Sequence, residues 1–117
     1  MPIELSKSQK KIARELIEKS LQMECARFIE KTEVLIGKRK QEEKSSHEIY
    51  VELYKKIHVF DKHIARRYDD LRGSTYFLIL LGLIHDKILS PEDINGFDEN
   101  VRNELLNATK LWDSDYE

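Results

Sequence analysis

One apolar stripe with helical spacing constrains this chain more than any other feature. Between positions 50 and 71, apolar residues recur at steps of three or four, which places them on one face of an α-helix. The members of this stripe are Tyr50, Leu53, Ile57, Phe60, Ile64, Tyr68 and Leu71. Ser45 and Glu48 have the spacing of a capping box, so the sequence predicts a long helix over 46–71.

A second long helix is predicted before this one, over 6–36. Ser6 and Gln9 have the spacing of a capping box, and Gly37 supplies a residue that ends helices readily. The apolar stripe of this helix shifts by roughly a third of a turn near Ser20. The shift indicates either a bend or a change of packing partner along the helix, and both alternatives argue against a simple two-stranded coiled coil.

Two shorter helices and one turn complete the predicted elements. The segment 74–88 is largely apolar, which is typical of a helix surrounded by neighbours. A last helix over 98–112 follows a single turn at 91–95, which the run Ser90-Pro91-Glu92-Asp93 begins. The chain has 4 glycines and 2 prolines, too few for a β-sandwich. We therefore expect an all-α fold, an antiparallel helical bundle of two long and two shorter helices plus a one-turn helix.

The length of 117 residues suits one domain, which we predict over 1–112, followed by an acidic tail at 113–117. Cys25 is the single cysteine, so an internal disulfide is excluded. The apolar faces of the helices are expected to meet in one core. Its predicted members are Leu16, Phe28, Leu53, Ile57, Phe60, Ile64, Phe77, Leu80, Leu81, Ile84, Val101 and Leu105.

Hydropathy and charge bound the compartment and the partners. Residues 1–11 lack the apolar segment of a secretory signal, and the longest apolar run, 76–84, is far shorter than the about 20 residues that span a bilayer. We therefore expect a cytoplasmic protein without a membrane partner. The net charge of −2 is uneven, at −6 from residue 86 onward and +4 before it. The basic and acidic parts of the chain can contact each other within one molecule or between copies, and the first alternative is the simpler one.

The strongest candidate for chemistry is the pair His85-Asp86, which directly follows the apolar run 78–84. The pair resembles the central motif of HD-domain phosphohydrolases, all-helical enzymes in which a His-Asp pair at the end of an apolar helix binds a divalent metal. The resemblance implies a metal-dependent phosphohydrolase in which His85 and Asp86 are ligands, together with His58 and a late aspartate. The plainer alternative is that His85 meets the negative end of its helix while Asp86 faces water. We favour this alternative and assign no catalytic residue and no cofactor.

Basic residues form three groups that suggest a second alternative, a weak nucleic-acid binder. Two of them are the runs 38–40 and 66–67, and the third comprises Lys7, Lys10, Lys11 and Arg14. Neighbouring acids and the negative net charge argue against this alternative, so nucleic acid is not the expected partner.

Protein–protein contact is the remaining class of function. We expect a small soluble helical protein that is non-catalytic and acts through contact with a protein partner or through self-association, since long helices carry more apolar surface than short neighbours cover. The candidate interface combines the apolar stripe of the first helix with the aromatic residues of the acidic end. Its members are Leu21, Cys25, Phe28, Ile29, Trp112 and Tyr116.

Overall fold

The computed structural model describes residues 4–115, which form four α-helices and one short 3₁₀ helix. Their bounds, in chain order, are α1 Lys7–Lys40, α2 Ser46–Tyr68, α3 Tyr76–His85, the 3₁₀ helix Pro91–Ile94 and α4 Glu99–Asp115. No strand occurs in this part of the chain, so the all-α prediction is confirmed. Within the same residues, no helix has both the length and the apolar character needed to cross a membrane.

The capping box predicted at Ser45 is confirmed, and a second box forms at Ser90, where the sequence predicted the start of a turn. At α2, Glu48 N–H donates to Ser45 Oγ over 3.1 Å, and Ser45 N–H donates to Glu48 Oε1 over 3.2 Å. At the 3₁₀ helix, Ser90 N–H donates to Asp93 Oδ2 over 2.7 Å. Hydrogen bonds from the backbone and hydroxyl of Ser45 lower the pKa of the Glu48 carboxyl. Both helix starts are therefore encoded by their own first residues.

The predicted box at the start of α1 is only half formed. Gln9 N–H donates to Ser6 Oγ over 3.2 Å, but Gln9 Oε1 accepts a hydrogen bond from Asp98 N–H over 3.0 Å. Gln9 is buried, and Asp98 directly precedes α4. The side chain that was expected to cap its own helix therefore joins the beginnings of α1 and α4.

α1 is a continuous helix of 34 residues, and it runs beyond the predicted end. It passes through Gly37, so the prediction that Gly37 ends the helix is wrong. The last turn is basic, with residues 38–40 complementing the negative helix end. Beyond it, a Schellman motif forms in which Glu43 N–H donates to Lys38 O over 3.1 Å. Glu42 occupies the left-handed position of this motif at φ 57°.

The shift of the apolar stripe near Ser20 corresponds to a change of packing partner. α1 continues through Ser20, whose hydroxyl is buried and donates to Leu16 O over 2.8 Å. Contacts divide the chain into two compact units, and the division crosses α1 between Leu21 and Gln22. Of the two alternatives for α1, the change of partner therefore holds along an unbroken helix.

The first compact unit comprises residues 1–21 and 70–117. In it α3 packs against α4, and the fully buried side chains include Ile17, Leu80, Leu83, Leu89, Ile94 and Leu105. Leu78 is 56% exposed, so α3 is not surrounded on all sides as predicted. α4 continues to Asp115, three residues beyond its predicted end. The single domain predicted over 1–112 stays a prediction.

α3 ends at His85 in a second Schellman motif, three residues before its predicted end. Ile88 N–H donates to Leu83 O over 2.9 Å, and Lys87 N–H donates to Ile84 O over 3.0 Å. Lys87 holds the left-handed position at φ 62°. For a residue with a Cβ, the left-handed conformation costs about 1–2 kcal/mol.

The second compact unit comprises residues 22–69 and is called the hairpin below. Phe28 of α1 stacks on Phe60 of α2, with ring centroids 4.2 Å apart. Four residues earlier in α1, Glu24 contacts His63, three residues later in α2, so the two helices run antiparallel. The buried side chains that the structure describes in the hairpin are Glu24, Leu35, Ile49 and Tyr68.

The predicted core is confirmed in part. Five of its members are buried, namely Phe77, Leu80, Ile84, Val101 and Leu105. Six are half-buried, namely Leu16, Phe28, Leu53, Phe60, Ile64 and Leu81. Ile57 is 48% exposed, so its assignment to the core is wrong.

The side of α2 that contacts α1 is wider than the predicted stripe. Phe60 and Tyr68 belong to the stripe and reach α1, whereas Arg67 and His63 lie roughly 60° and 100° from its centre at 100° per residue. Tyr68, His63 and Arg67 all contact Glu24, and a buried carboxylate requires such donors. The contact face of α2 therefore includes polar side chains that its apolar pattern alone does not predict.

Replacing Lys87 by glycine should raise the free energy of unfolding by about 0.5–1 kcal/mol, because glycine adopts a positive φ without the cost of a Cβ. Lys62→Gly, at an exposed position inside α2, is the matched control and should lower it by about 1 kcal/mol. Urea unfolding followed by circular dichroism measures both values. A clear loss of stability in Lys87→Gly would contradict the described geometry.

Candidate functional site

A buried carboxylate lies at the centre of the hairpin. Glu24 is 8% exposed, and its Oε2 accepts a hydrogen bond from the Tyr68 hydroxyl over 2.6 Å. Its Oε1 lies 2.8 Å from His63 Nε2, and Arg67 Nη1 donates to Oε2 over 3.4 Å. Three donors from one stretch of α2 thus satisfy a charge that would otherwise be costly to bury.

The phenol of Tyr68 is held protonated by this environment. Burial, followed by the hydrogen bond to Glu24, raises the pKa of Tyr68 well above its usual value of 10.0. A protonated hydroxyl donates to the carboxylate, whereas an ionised one would repel it. At neutral pH the Tyr68 hydroxyl therefore stays protonated and donates to Glu24, which links α1 to α2.

Glu24 was not among the residues that the sequence singled out, although a signal was present. Glu24 lies on the same helical line of α1 as the buried residues Ala13, Ile17 and Ser20, at steps of four, three and four. An acidic residue on a buried line indicates a paired charge. Identifying its partners required the structure, because nothing in the sequence specifies which residues of α2 face it.

An open groove lies beside this cluster on the same hairpin, with a cavity of about 510 Å³. Its floor is apolar and consists of Phe28, Val59 and Phe60, and the two phenylalanine rings stack at an interplanar angle of 9°. Its rim is cationic, formed by Lys31, Lys55 and Lys56.

His63 also lines the groove, so the side chain that contacts Glu24 reaches this surface as well. The side chain of His63 is 39% exposed. An aromatic floor within a cationic rim is suited to binding an acidic ligand that carries an apolar group.

The residues proposed as metal ligands have other described partners. The ring of His58 stacks on Tyr54, at a centroid distance of 6.2 Å. The ring of His85 stacks on Trp112 at 4.0 Å, and its Nδ1 lies 2.8 Å from Asp113 Oδ1. Asp86 is exposed and directly follows α3.

Among residues 4–115, no group of three or more His, Cys, Asp or Glu side chains is arranged to hold a metal ion. The metal site at His58, His85 and Asp86 stays a prediction.

The interface candidates differ in their surroundings. Leu21, Cys25, Phe28 and Trp112 are half-buried, and Cys25 is a free thiol. Ile29 is exposed, whereas Tyr116 lies outside the described residues. Phe28 packs on Phe60 and Trp112 on His85, so these two aromatic rings already have partners within the chain.

The residues of the predicted basic groups differ in what they contact. Lys7, Lys10, Lys11 and Arg14 line an open depression at the start of α1, where Arg14 Nε donates to the Tyr76 hydroxyl over 3.2 Å. Arg66 is exposed, but Arg67 is turned to Glu24. The pair at 66–67 therefore does not present two arginines to a ligand.

Comparisons with protein-family models, with curated proteins and with solved structures find no match to this chain.

Tyr68→Phe should reduce the pH dependence of stability above pH 10. A folded-state pKa that is raised means that the folded chain keeps a proton which the unfolded chain has lost. Stability therefore falls as pH rises through this range, by at most about 1.4 kcal/mol per pH unit for one group. Urea unfolding at pH 8, 9, 10 and 11 measures the slope in wild type and variant.

Tyr54→Phe is the control for this series, because it removes a hydroxyl outside the cluster and should keep the wild-type slope. At pH 8, Tyr68→Phe should cost about 1.5–3 kcal/mol through the lost hydrogen bond to a charged group. Equal alkaline slopes in wild type and Tyr68→Phe would contradict the described environment of Tyr68.

Proposed function

We propose that this chain acts through protein–protein contact and that copies of it associate through the hairpin. The observation that supports the proposal is an excess of large apolar side chains at the surface of the hairpin. Of the ten large apolar side chains described as exposed, seven belong to residues 22–69. They are Ile29, Val34, Ile36, Tyr50, Tyr54, Ile57 and Val59.

A hairpin of two helices cannot bury these apolar side chains by itself, so they require a partner. Two helices cover each other along one side only, and stable helical folds bury their remaining apolar faces against further elements. In α2 the buried residues that the structure describes are Ile49 and Tyr68. A second hairpin packed against the first would form a four-helix arrangement and supply the missing cover.

One side of α2 is particularly suited to this contact. Tyr50, Tyr54 and Ile57 are spaced by four and three residues and lie on the same side of the helix; they are called the tyrosine face below. Tyr54 is 63% exposed. Tyrosine is enriched at protein interfaces, because its ring contributes apolar area while its hydroxyl can keep a polar partner.

The area available is in the range of a small interface. An aromatic side chain buries about 150–250 Å² when it is fully covered. The tyrosine faces of two copies, with the neighbouring side chains that such packing covers, can approach the about 1,000 Å² of a biological interface. Exposed apolar patches of this kind on a monomer mark interaction sites.

The alternative functions have less support. The HD-like phosphohydrolase requires His85 as a ligand, and His85 is in contact with Trp112 and Asp113. The nucleic-acid binder was suggested by three basic groups, and in one of them, the pair 66–67, Arg67 contacts Glu24. No described contact favours either alternative over protein–protein contact.

Tyr54→Glu should weaken self-association at least about tenfold, because a carboxylate would have to be buried without a partner at the contact. Sedimentation velocity between about 1 and 200 µM measures the dissociation constant. Asn107→Glu, at an exposed position of α4, makes the same change in charge and should leave association unchanged. Both variants should keep the helical circular dichroism signal, since both positions are exposed.

Two results would contradict the proposal. The first is a wild-type chain that stays monomeric across this concentration range. The second is a Tyr54→Glu variant that associates as strongly as wild type, which would show that the tyrosine face takes no part in the contact.

A further inference from the structure

The groove of the hairpin carries a local excess of positive charge. Lys56 lies 3.9 Å from Glu52, but within the described residues neither Lys31 nor Lys55 forms an ion pair. The residues three and four positions from Lys31 include Arg27 and no acid, so its own helix provides no compensation. Like charges held together at the edge of an apolar floor favour a ligand of opposite charge.

A second hairpin is a poor occupant of this groove. Symmetric pairing would place the lysine rim of one copy against the lysine rim of the other, and like charges across an interface are costly. The groove therefore differs from the tyrosine face, whose exposed residues are uncharged. It requires an acidic occupant that also carries an apolar group for the floor of Phe28, Val59 and Phe60.

The end of α4 has the complementary chemistry. Residues 111–117 read Leu-Trp-Asp-Ser-Asp-Tyr-Glu, with three acids interleaved with three large apolar or aromatic residues. The last turn of α4 contains no basic residue, so its acids add to the negative end of the helix. Leu111 is 68% exposed.

The first residues of this segment contact His85. Trp112 stacks on the His85 ring, and Asp113 Oδ1 lies 2.8 Å from His85 Nδ1. α4 extends to Asp115, so the described part of the segment belongs to a helix. A ligand that is already ordered loses less entropy on binding.

We propose that the groove of one copy binds the acidic segment 111–117 of a second copy. Leu111 supplies an apolar group for the floor, and the acids of the segment pair with Lys31 and Lys55. The cavity of about 510 Å³ accommodates one or two such side chains. The inference rests on the proposed function in that copies associate, but it assigns a second contact that is separate from the tyrosine face.

The contact joins two different surfaces, the groove and the helix end, so it is heterologous. Such a contact either closes when two copies exchange segments or continues into larger species. It is also largely electrostatic, so its strength should fall as the salt concentration rises. An apolar contact through the tyrosine face has no such salt dependence.

The first test uses the full chain as receptor and a fluorescein-labelled peptide of residues 108–117 as probe. Fluorescence anisotropy in 50 mM salt should show saturable binding that weakens in 500 mM salt. The variant Lys31→Glu, Lys55→Glu should weaken binding at least about tenfold, because two attractions become repulsions. The control Lys40→Glu, Lys62→Glu makes the same change in net charge at exposed positions and should bind like wild type.

A control peptide separates charge from apolar contact. The same peptide with its three acids replaced by Asn or Gln keeps the apolar groups and should bind at least about tenfold more weakly. Absence of saturable binding up to about 1 mM, or equal weakening by the groove variant and its control, would overturn the inference.

The second test uses full chains and mixing. The groove variant Lys31→Glu, Lys55→Glu keeps its C-terminal segment, and the segment variant Asp115→Lys, Glu117→Lys keeps its groove and the contact of Asp113 with His85. Each is made in the Tyr54→Glu background to remove the tyrosine face. Each variant alone should associate at least about tenfold more weakly than the Tyr54→Glu chain in 50 mM salt, and an equimolar mixture should form a mixed species by sedimentation.

Mixing that produces no mixed species would overturn the inference. This outcome is distinct from failure of the proposed function, which is measured with wild type and Tyr54→Glu alone. A wild-type chain that associates through the tyrosine face, while mixed variants do not combine, would retain the proposed function and reject the groove contact.

Discussion

The carboxylate of Glu24 is the constraint on which the structure of the hairpin depends. Burying a charge is costly, and this one is accepted because Tyr68, His63 and Arg67 all reach it. The three partners lie within six residues of α2, from His63 to Tyr68. Sliding α2 by one turn, about 5.4 Å, would remove all three from the carboxylate. Apolar contacts between two helices tolerate such slides better than hydrogen bonds do, so the polar cluster determines the register.

The apolar stripe of α2 is divided between two environments. Phe60 and Tyr68 contact α1, whereas Tyr50 and Ile57 are exposed. The donors to Glu24 lie towards the end of α2, between His63 and Tyr68. The part of α2 that precedes them carries Tyr50, Tyr54 and Ile57 at the surface, and the proposed self-association depends on these three residues.

Much of the fold was predictable because its signals are local. The capping boxes at Ser45 and Ser90 involve residues three positions apart, and the apolar character of α3 is readable along its own length. The errors arise where the deciding contact is distant or where several local options compete. Gly37 is compatible with a helix end, but the basic turn that follows it favours continuation, and Glu42 takes the left-handed position. Of the candidate site, the sequence indicated Phe28 and the acidic aromatic end, whereas Glu24 and the lysine rim depend on how α2 is turned.

The small net charge of −2 conceals an uneven distribution of charge, because three lysines line the groove while residues 111–117 contain three acids and no base. A balanced total limits long-range repulsion between copies, so it permits close approach in any orientation. Local charges then favour some orientations over others, because the lysine rims of two copies repel each other whereas a lysine rim attracts an acidic segment. In the proposed association, the tyrosine face and the charged groove would therefore contribute different properties. The tyrosine face would supply apolar area that is insensitive to salt, and the groove would supply direction, since only a contact between unlike surfaces neutralises both charges.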